Sequence, residues 1–144
     1  KSFMDVSYLH SPEKLFGSIP SEGRYIINIH HFLHLSAHHI SIFERYLTAV
    51  RNAIIRLLER NPHVLITLRG PHVAEHPPYF CLSTDAWAQY ITTIQKETFR
   101  DLQDRVIYFP FWDITVASED TDIHPGCNDH LSDVMFQFTC GRQQ

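Results

Sequence analysis

Three consecutive segments constrain this chain most: Tyr25-Ile-Ile-Asn-Ile29, the stretch from Ser41 to Arg60, and Val64-Leu-Ile-Thr-Leu68. The two short runs are apolar at nearly every position, the pattern of strands covered on both faces. Between them, Ile42, Phe43, Tyr46, Leu47, Val50, Ile54, Leu57 and Leu58 recur at helical spacing, while Glu44, Arg45, Arg51, Arg56 and Glu59 take the other positions. Asn61-Pro62 stops that helix. A strand, a long amphipathic helix and a second strand form a crossover, which joins parallel neighbours and excludes a hairpin.

The alternation continues downstream. Ser83-Thr-Asp85 caps a helix expected to place Trp87, Tyr90, Ile91, Ile94 and Leu102 inward, and Arg105-Val-Ile-Tyr-Phe109 reads as a third buried strand. Asn128 or Asp129 caps a last helix with Leu131, Val134, Met135 and Phe138 at helical spacing and Cys140 at its end. Upstream, Phe3 to Leu9 reads as a short extended segment, ended by the turn-prone Ser11-Pro12-Glu13 and a loop through Gly17, Pro20 and Gly23. The expected fold class is therefore α/β, a three-layer α/β/α sandwich on a parallel sheet. With 144 residues, 44% of them hydrophobic, the chain suits a single domain spanning 1–144.

Charge narrows the partners. A formal net charge of −4, from 12 basic and 16 acidic residues scattered along the chain, supplies no basic stripe for nucleic acid and no polybasic membrane patch. No apolar run is long enough for a membrane span. The start, Lys1-Ser-Phe-Met-Asp5, has neither an initiator methionine nor a signal peptide, so the chain is expected to begin inside a longer gene product. Cys81, Cys127 and Cys140 cannot all pair within one chain, and their count alone does not choose a redox compartment. None of Asn28, Asn52, Asn61 and Asn128 stands in a glycosylation context.

Ligands of parallel sheets bind beyond the carboxyl ends of the strands, which points to three loops: His30 to His39, Arg69 to Pro78, and Pro110 to Asn128. Histidines occupy all three. His124 is the acid-base candidate, because Glu119, Asp120 and Asp122 lie close enough in sequence to orient an imidazole. Arg69 directs a cation to the same edge, for a carboxylate of substrate or protein. Trp112-Asp113 is expected to pack and cap the loop carrying His124. Cys127 lies in that loop too, either as a nucleophile or, the preferred reading, in a disulfide. His30, His34 and His38 are spaced four apart, so a helical turn there would align imidazoles for zinc, although no Cys-x-x-Cys accompanies them. The chain contains no Gly-Asp-Ser or Gly-x-Ser-x-Gly turn to carry a serine nucleophile.

Several stretches, in this order and spacing, resemble the C-terminal domain of the neurexophilin and PC-esterase (NXPE) family, a divergent branch of the SGNH/GDSL hydrolase-like fold. They are Ile19 to Ile29 leading into the histidine loop, Phe43-Glu-Arg-Tyr-Leu47, Ala53 to Pro62, Trp112-Asp-Ile-Thr115, and Ile123-His-Pro125 followed by the helix ending in Cys140. The resemblance covers nearly the whole chain. It implies a five-strand parallel sheet in the order 2-1-3-4-5, with the nucleophilic serine after strand one; this chain would start at strand two and lack strand one. An incomplete SGNH-like sheet should leave Tyr25 to Ile29 paired with Phe3 to Leu9 or at an exposed apolar edge.

The implied activity is transfer or hydrolysis of an acyl ester, such as an O-acetyl group on a glycan substrate, in the secretory-pathway lumen or outside the cell, with no cofactor and no resident metal. In it His124 takes the serine proton, Asp122 or Asp120 fixes its tautomer, and His34 and Arg69 serve the oxyanion or substrate. Relatives place the aspartate three residues before the histidine, where this chain has Thr121, so the identity of the acid stays open. The serine would come from an upstream segment of the same gene product, leaving this piece inactive alone. Two alternatives stand beside it: a noncatalytic secreted or binding domain with the same fold, and a zinc-binding module built on the histidine cluster.

Overall fold

A computed structural model describes residues 10–32, 35, 38–73, 85–122, 125, 126 and 132–137. Its elements run α1 (Pro12–Gly17), β1 (Tyr25–His30), α2 (Ile40–Arg60), β2 (Val64–Arg69), α3 (Asp85–Thr98), a 3-10 turn (Arg100–Leu102), β3 (Val106–Phe109) and α4 (Phe111–Ala117), and residues 132–137 are again helical. The strands form one parallel sheet in the order β1-β2-β3. The chain is thus α/β, with a three-stranded parallel sheet flanked by helices, consistent with an incomplete α/β/α sandwich.

α2 begins where the His39 ring accepts a hydrogen bond from the Ser41 backbone N–H at 3.3 Å, and it ends at Asn61, whose N–H reaches the Leu57 carbonyl. Its buried positions, Phe43, Leu47, Val50, Ala53, Ile54 and Leu57, make the stripe that the periodicity predicts. That stripe, with Ala88 and Ile91 of α3, packs on one face of the sheet against Ile29, Val64, Ile66, Leu68 and Val106. On the opposite face, Met135 joins Phe109 and Phe111, and its sulfur lies 3.7 Å from the Thr67 hydroxyl. Truncating a wholly buried residue such as Leu47 to alanine costs about 2–5 kcal/mol.

Several expectations need correction. Ser11-Pro12-Glu13 does not open a loop: Ser11 accepts from the Lys14 N–H and Pro12 sits in the first turn of α1, positions each residue suits. Tyr25 to Ile29 is not covered on both faces, because β1 is an edge strand among the described residues and Ile26 is 46% exposed. Tyr90 of α3 and Val134 of the last helical segment face solvent. Phe111–Ala117, expected as loop, is helical. Phe3 to Leu9, the three cysteines and the stretch 74–84 lie outside the described residues.

The loop leading into β1 is fastened to the end of α2. Asn61 is fully buried, and its amide donates to the carbonyls of Pro20 (3.1 Å) and Gly23 (3.0 Å) while its oxygen accepts from the His63 N–H (3.0 Å). Gly23 holds φ +96°, a left-handed conformation that glycine adopts without strain. Arg60 donates to the carbonyls of Phe16 and Ile19, capping the end of α1.

Candidate active site

Parallel register brings the carboxyl ends of the strands level. His30 pairs with Arg69 across β1 and β2, and Arg69 with Phe109 across β2 and β3. Successive side chains along a strand alternate faces, so these three project from the same side of the sheet, one rung beyond Asn28, Thr67 and Ile107. In that inner rung the Thr67 hydroxyl lies 3.2 Å from Asn28 Oδ1.

The next residues out of each strand complete a compact group. Gly70 donates its N–H to the Phe109 carbonyl at 2.9 Å, carrying the β2–β3 ladder one residue past the strand. A Cβ at Gly70 would run into the Tyr108 hydroxyl and stand 3.2 Å from the Phe109 carbonyl oxygen, so the close approach favours glycine. Two residues on, the His72 ring, 3% exposed, lies 5.7 Å from His30, 5.5 Å from Phe32 and 5.6 Å from Phe111, centroid to centroid. The Arg69 guanidinium stacks on the fully buried Phe111 ring.

These surroundings set the charge of His30. Burial, then the neighbouring Arg69 guanidinium, then His72 and His31 lower its pKa to about 3, against the opposing effect of a hydrogen bond with the Arg69 backbone. His30 is therefore a neutral imidazole at physiological pH, and its buried Nδ1 has no hydrogen-bond partner among the described residues.

The loop after α4 is tied to the same edge. Thr115, wholly buried, accepts the Val73 N–H at 2.9 Å and donates to the carbonyls of Phe111 and Trp112. Its own carbonyl accepts the Asp120 N–H at 3.0 Å. One residue thus fastens the exit of β2, the body of α4 and the start of the acidic loop. Asp120 Oδ1 accepts the Asp122 N–H at 3.3 Å, while Oδ2 lies 3.7 Å from the position a Cβ would take at Gly126. The Asp120 carboxylate thus bonds to the backbone at Asp122 and lies near Gly126. Glu119 carries φ +52°, a left-handed conformation unusual for a non-glycine residue.

Of the residues singled out from the sequence, Arg69, Asp120 and Asp122 lie at this edge or in its loop, whereas His34 and His124 lie outside the described residues. Trp112 packs against the core, as expected. The histidine run is dispersed. His30 ends a strand, so it cannot share a helical face with His34 and His38; the His31 Nε2 lies 2.8 Å from the Tyr46 hydroxyl, and His39 caps α2. Among the described residues, no three histidines, cysteines or carboxylates gather to hold a metal. No helix there is long and apolar enough to cross a membrane.

Sequence reasoning did not single out His72 or Phe111, and it noted Thr115 only as the end of the Trp112-Asp-Ile-Thr115 stretch, without a role. For His72 the signal was Gly70-Pro71 directly after a buried strand; for Phe111 there was none, since its contacts are tertiary.

Residues 1–140 match the family model described as NXPE family member 4-like, C-terminal domain. No solved structure matches the chain.

Proposed function

The chain belongs to the NXPE family through its C-terminal domain, and on that premise we propose that it supplies the acid-base half of an acyl-ester site. The reaction is transfer or hydrolysis of an acyl group, with an O-acetyl ester on a glycan as substrate class and the secretory-pathway lumen as its place. His124 is the base, Asp120 orients it in preference to Asp122, and the nucleophilic serine belongs to an upstream segment of the same gene product. His34 stands with it as an oxyanion donor.

The observation that carries this reading is the Asp120 carboxylate. The Asp120 N–H is held at the carboxyl edge by the Thr115 carbonyl, and its carboxylate accepts from the Asp122 N–H and lies near Gly126, so its neighbours fall on both sides of His124 in sequence. Asp122 is exposed, which suits it less to fixing a tautomer. Support for the upstream strand comes from β1. It is an edge of the sheet among the described residues, bordered by a groove of about 350 Å³ walled by Leu15, Phe16, Ile27 and Ile29. Burying such an edge against a further strand satisfies its backbone and covers its apolar surface.

The test is hydrolysis of a simple acetyl ester by the full-length parent protein. His124→Ala is expected to lower kcat by roughly 10³-fold or more, Asp120→Asn by a similar factor, and Asp122→Asn by less than about tenfold. Unchanged turnover in His124→Ala sinks the reading.

One feature favours the noncatalytic alternative, a binding domain on the same fold. The Arg69 guanidinium is stacked on the buried Phe111 ring and His30 is neutral, so part of the charge and proton-transfer capacity at this edge is taken up by packing. Absence of ester turnover in the parent protein, with a glycan still bound, selects that reading.

A further inference from the structure

α3 turns the positions Ala88, Ile91 and Gln95 inward, and the spacing calls for an apolar side chain at the third of them. Gln95 is instead fully buried, and neither its Nε2 nor its Oε1 has a hydrogen-bond partner among the described residues. Two orphaned atoms on one buried amide are costly, because folding removes them from water and returns nothing. Such a group calls for an explanation in terms of what it is there to meet.

Gln95 lines a cavity of about 300 Å³ between the end of α3 and β3. Leu68, Phe99 and Val106 supply apolar walls, and the exposed side chains of Lys96 and Gln103 stand at its mouth. The Lys96 ammonium lies 5.0 Å from the Tyr108 ring centroid, where the ring face holds it outside. The cavity is thus a largely apolar space, and behind its wall the sealed Gln95 amide holds one donor beside one acceptor. A carboxylate answers only the Gln95 Nε2, and an ammonium only Oε1. A carboxamide answers both from a single planar group.

We propose that this cavity is a binding site for a small apolar ligand bearing a carboxamide, whose carbonyl accepts from Gln95 Nε2 and whose N–H donates to Gln95 Oε1. Binding requires the Gln95 amide to rotate toward the space it borders and the flexible side chains of Lys96 and Gln103 to swing aside, with no backbone movement. The site lies on the face of the sheet covered by α2 and α3 and shares no residue with Arg69, Asp120, Asp122 or His124. It therefore stands or falls independently of the acyl-ester reading.

The probe is benzamide, titrated into the ¹⁵N-labelled chain while backbone amide shifts are followed. Shifts centred on 95–99 and 106–108 are expected, saturating at millimolar concentration. Methyl benzoate keeps the ring and carbonyl but has no N–H, and on the unaltered protein it is expected to bind about tenfold more weakly, as a site with a hydrogen-bonding demand rejects an analogue that cannot meet it. Gln95→Met is expected to reduce benzamide affinity to that of methyl benzoate. Equal affinity for the two probes on the unaltered protein overturns the proposal whether or not the variant folds. So do benzamide shifts that lie elsewhere or are absent, the result expected if the amide is met by water alone, and undiminished benzamide binding by a folded Gln95→Met.

Discussion

The guanidinium carbon of Arg69 lies 3.4 Å from the centroid of the Phe111 ring, joining the end of β2 to the first residue of α4. A guanidinium is planar and weakly hydrated, so it stacks on a ring where an ammonium would stay in water. The contact helps to position α4, and through Thr115 the acidic loop beyond it. A double-mutant cycle on Arg69→Met and Phe111→Leu should return a coupling of about 1–2 kcal/mol. Arg69→Lys should lose most of it. Urea denaturation measures all of these, and a coupling near zero would mean that proximity alone explains the pair.

Acid should weaken the fold through His30. Its pKa is lowered from 6.5 to about 3, so below pH 6.5 the unfolded chain takes up a proton that the folded chain refuses. Stability is complete above pH 6.5 and is lost as pH falls toward 3, with a limiting slope of about 1.4 kcal/mol per pH unit from this group. His30→Phe, which has no titrating proton, should flatten that slope. Stability curves for both proteins between pH 4 and 7 make the comparison; identical slopes refute the assignment.

Thr115→Val keeps shape and removes the hydroxyl. The Val73 N–H then loses its acceptor in a buried setting, at a cost of about 1–3 kcal/mol. The larger consequence should be local. Amide exchange at Val73 and Asp120 should accelerate beyond the global loss of stability, because both are tied to the same residue.

Asn61 has three side-chain hydrogen bonds at the end of α2. Asn61→Leu leaves the carbonyls of Pro20 and Gly23 and the His63 N–H without those partners, so a loss of about 1–3 kcal/mol is expected by thermal or chemical unfolding.

Gly70→Ala puts a methyl group against the Tyr108 hydroxyl and 3.2 Å from the Phe109 carbonyl oxygen. Overpacking of this kind costs about 1–3 kcal/mol. Tyr108→Phe in the same background removes the nearest atom, and it should recover part of the loss.

The α/β character and the parallel pairing of β1 with β2 were legible because they rest on periodicity. α2 could be read almost to the residue: its apolar stripe repeats over five turns, and Asn61-Pro62 ends it. That Arg69 and the acidic loop lie at one edge was legible for a similar reason, since the loops after parallel strands gather at their carboxyl ends. α1 and α4 were not, because each is too short for a helical period to stand out and each depends on contacts distant in sequence. α1 is capped by Arg60, and α4 is held by Arg69 and the exit of β2.

The amino-acid order alone determined the three strands, the two long helices between them, their parallel sense, and the chain's membership of a family, because local periodicity and ordered motifs survive without coordinates. Tertiary structure decided which histidine is held neutral, that Asp120 bonds to the backbone at Asp122, and that Gln95 lies sealed without a partner among the described residues. Those properties depend on desolvation and on distances that the fold sets. No pattern along the chain encodes them until the sheet brings its carboxyl ends level.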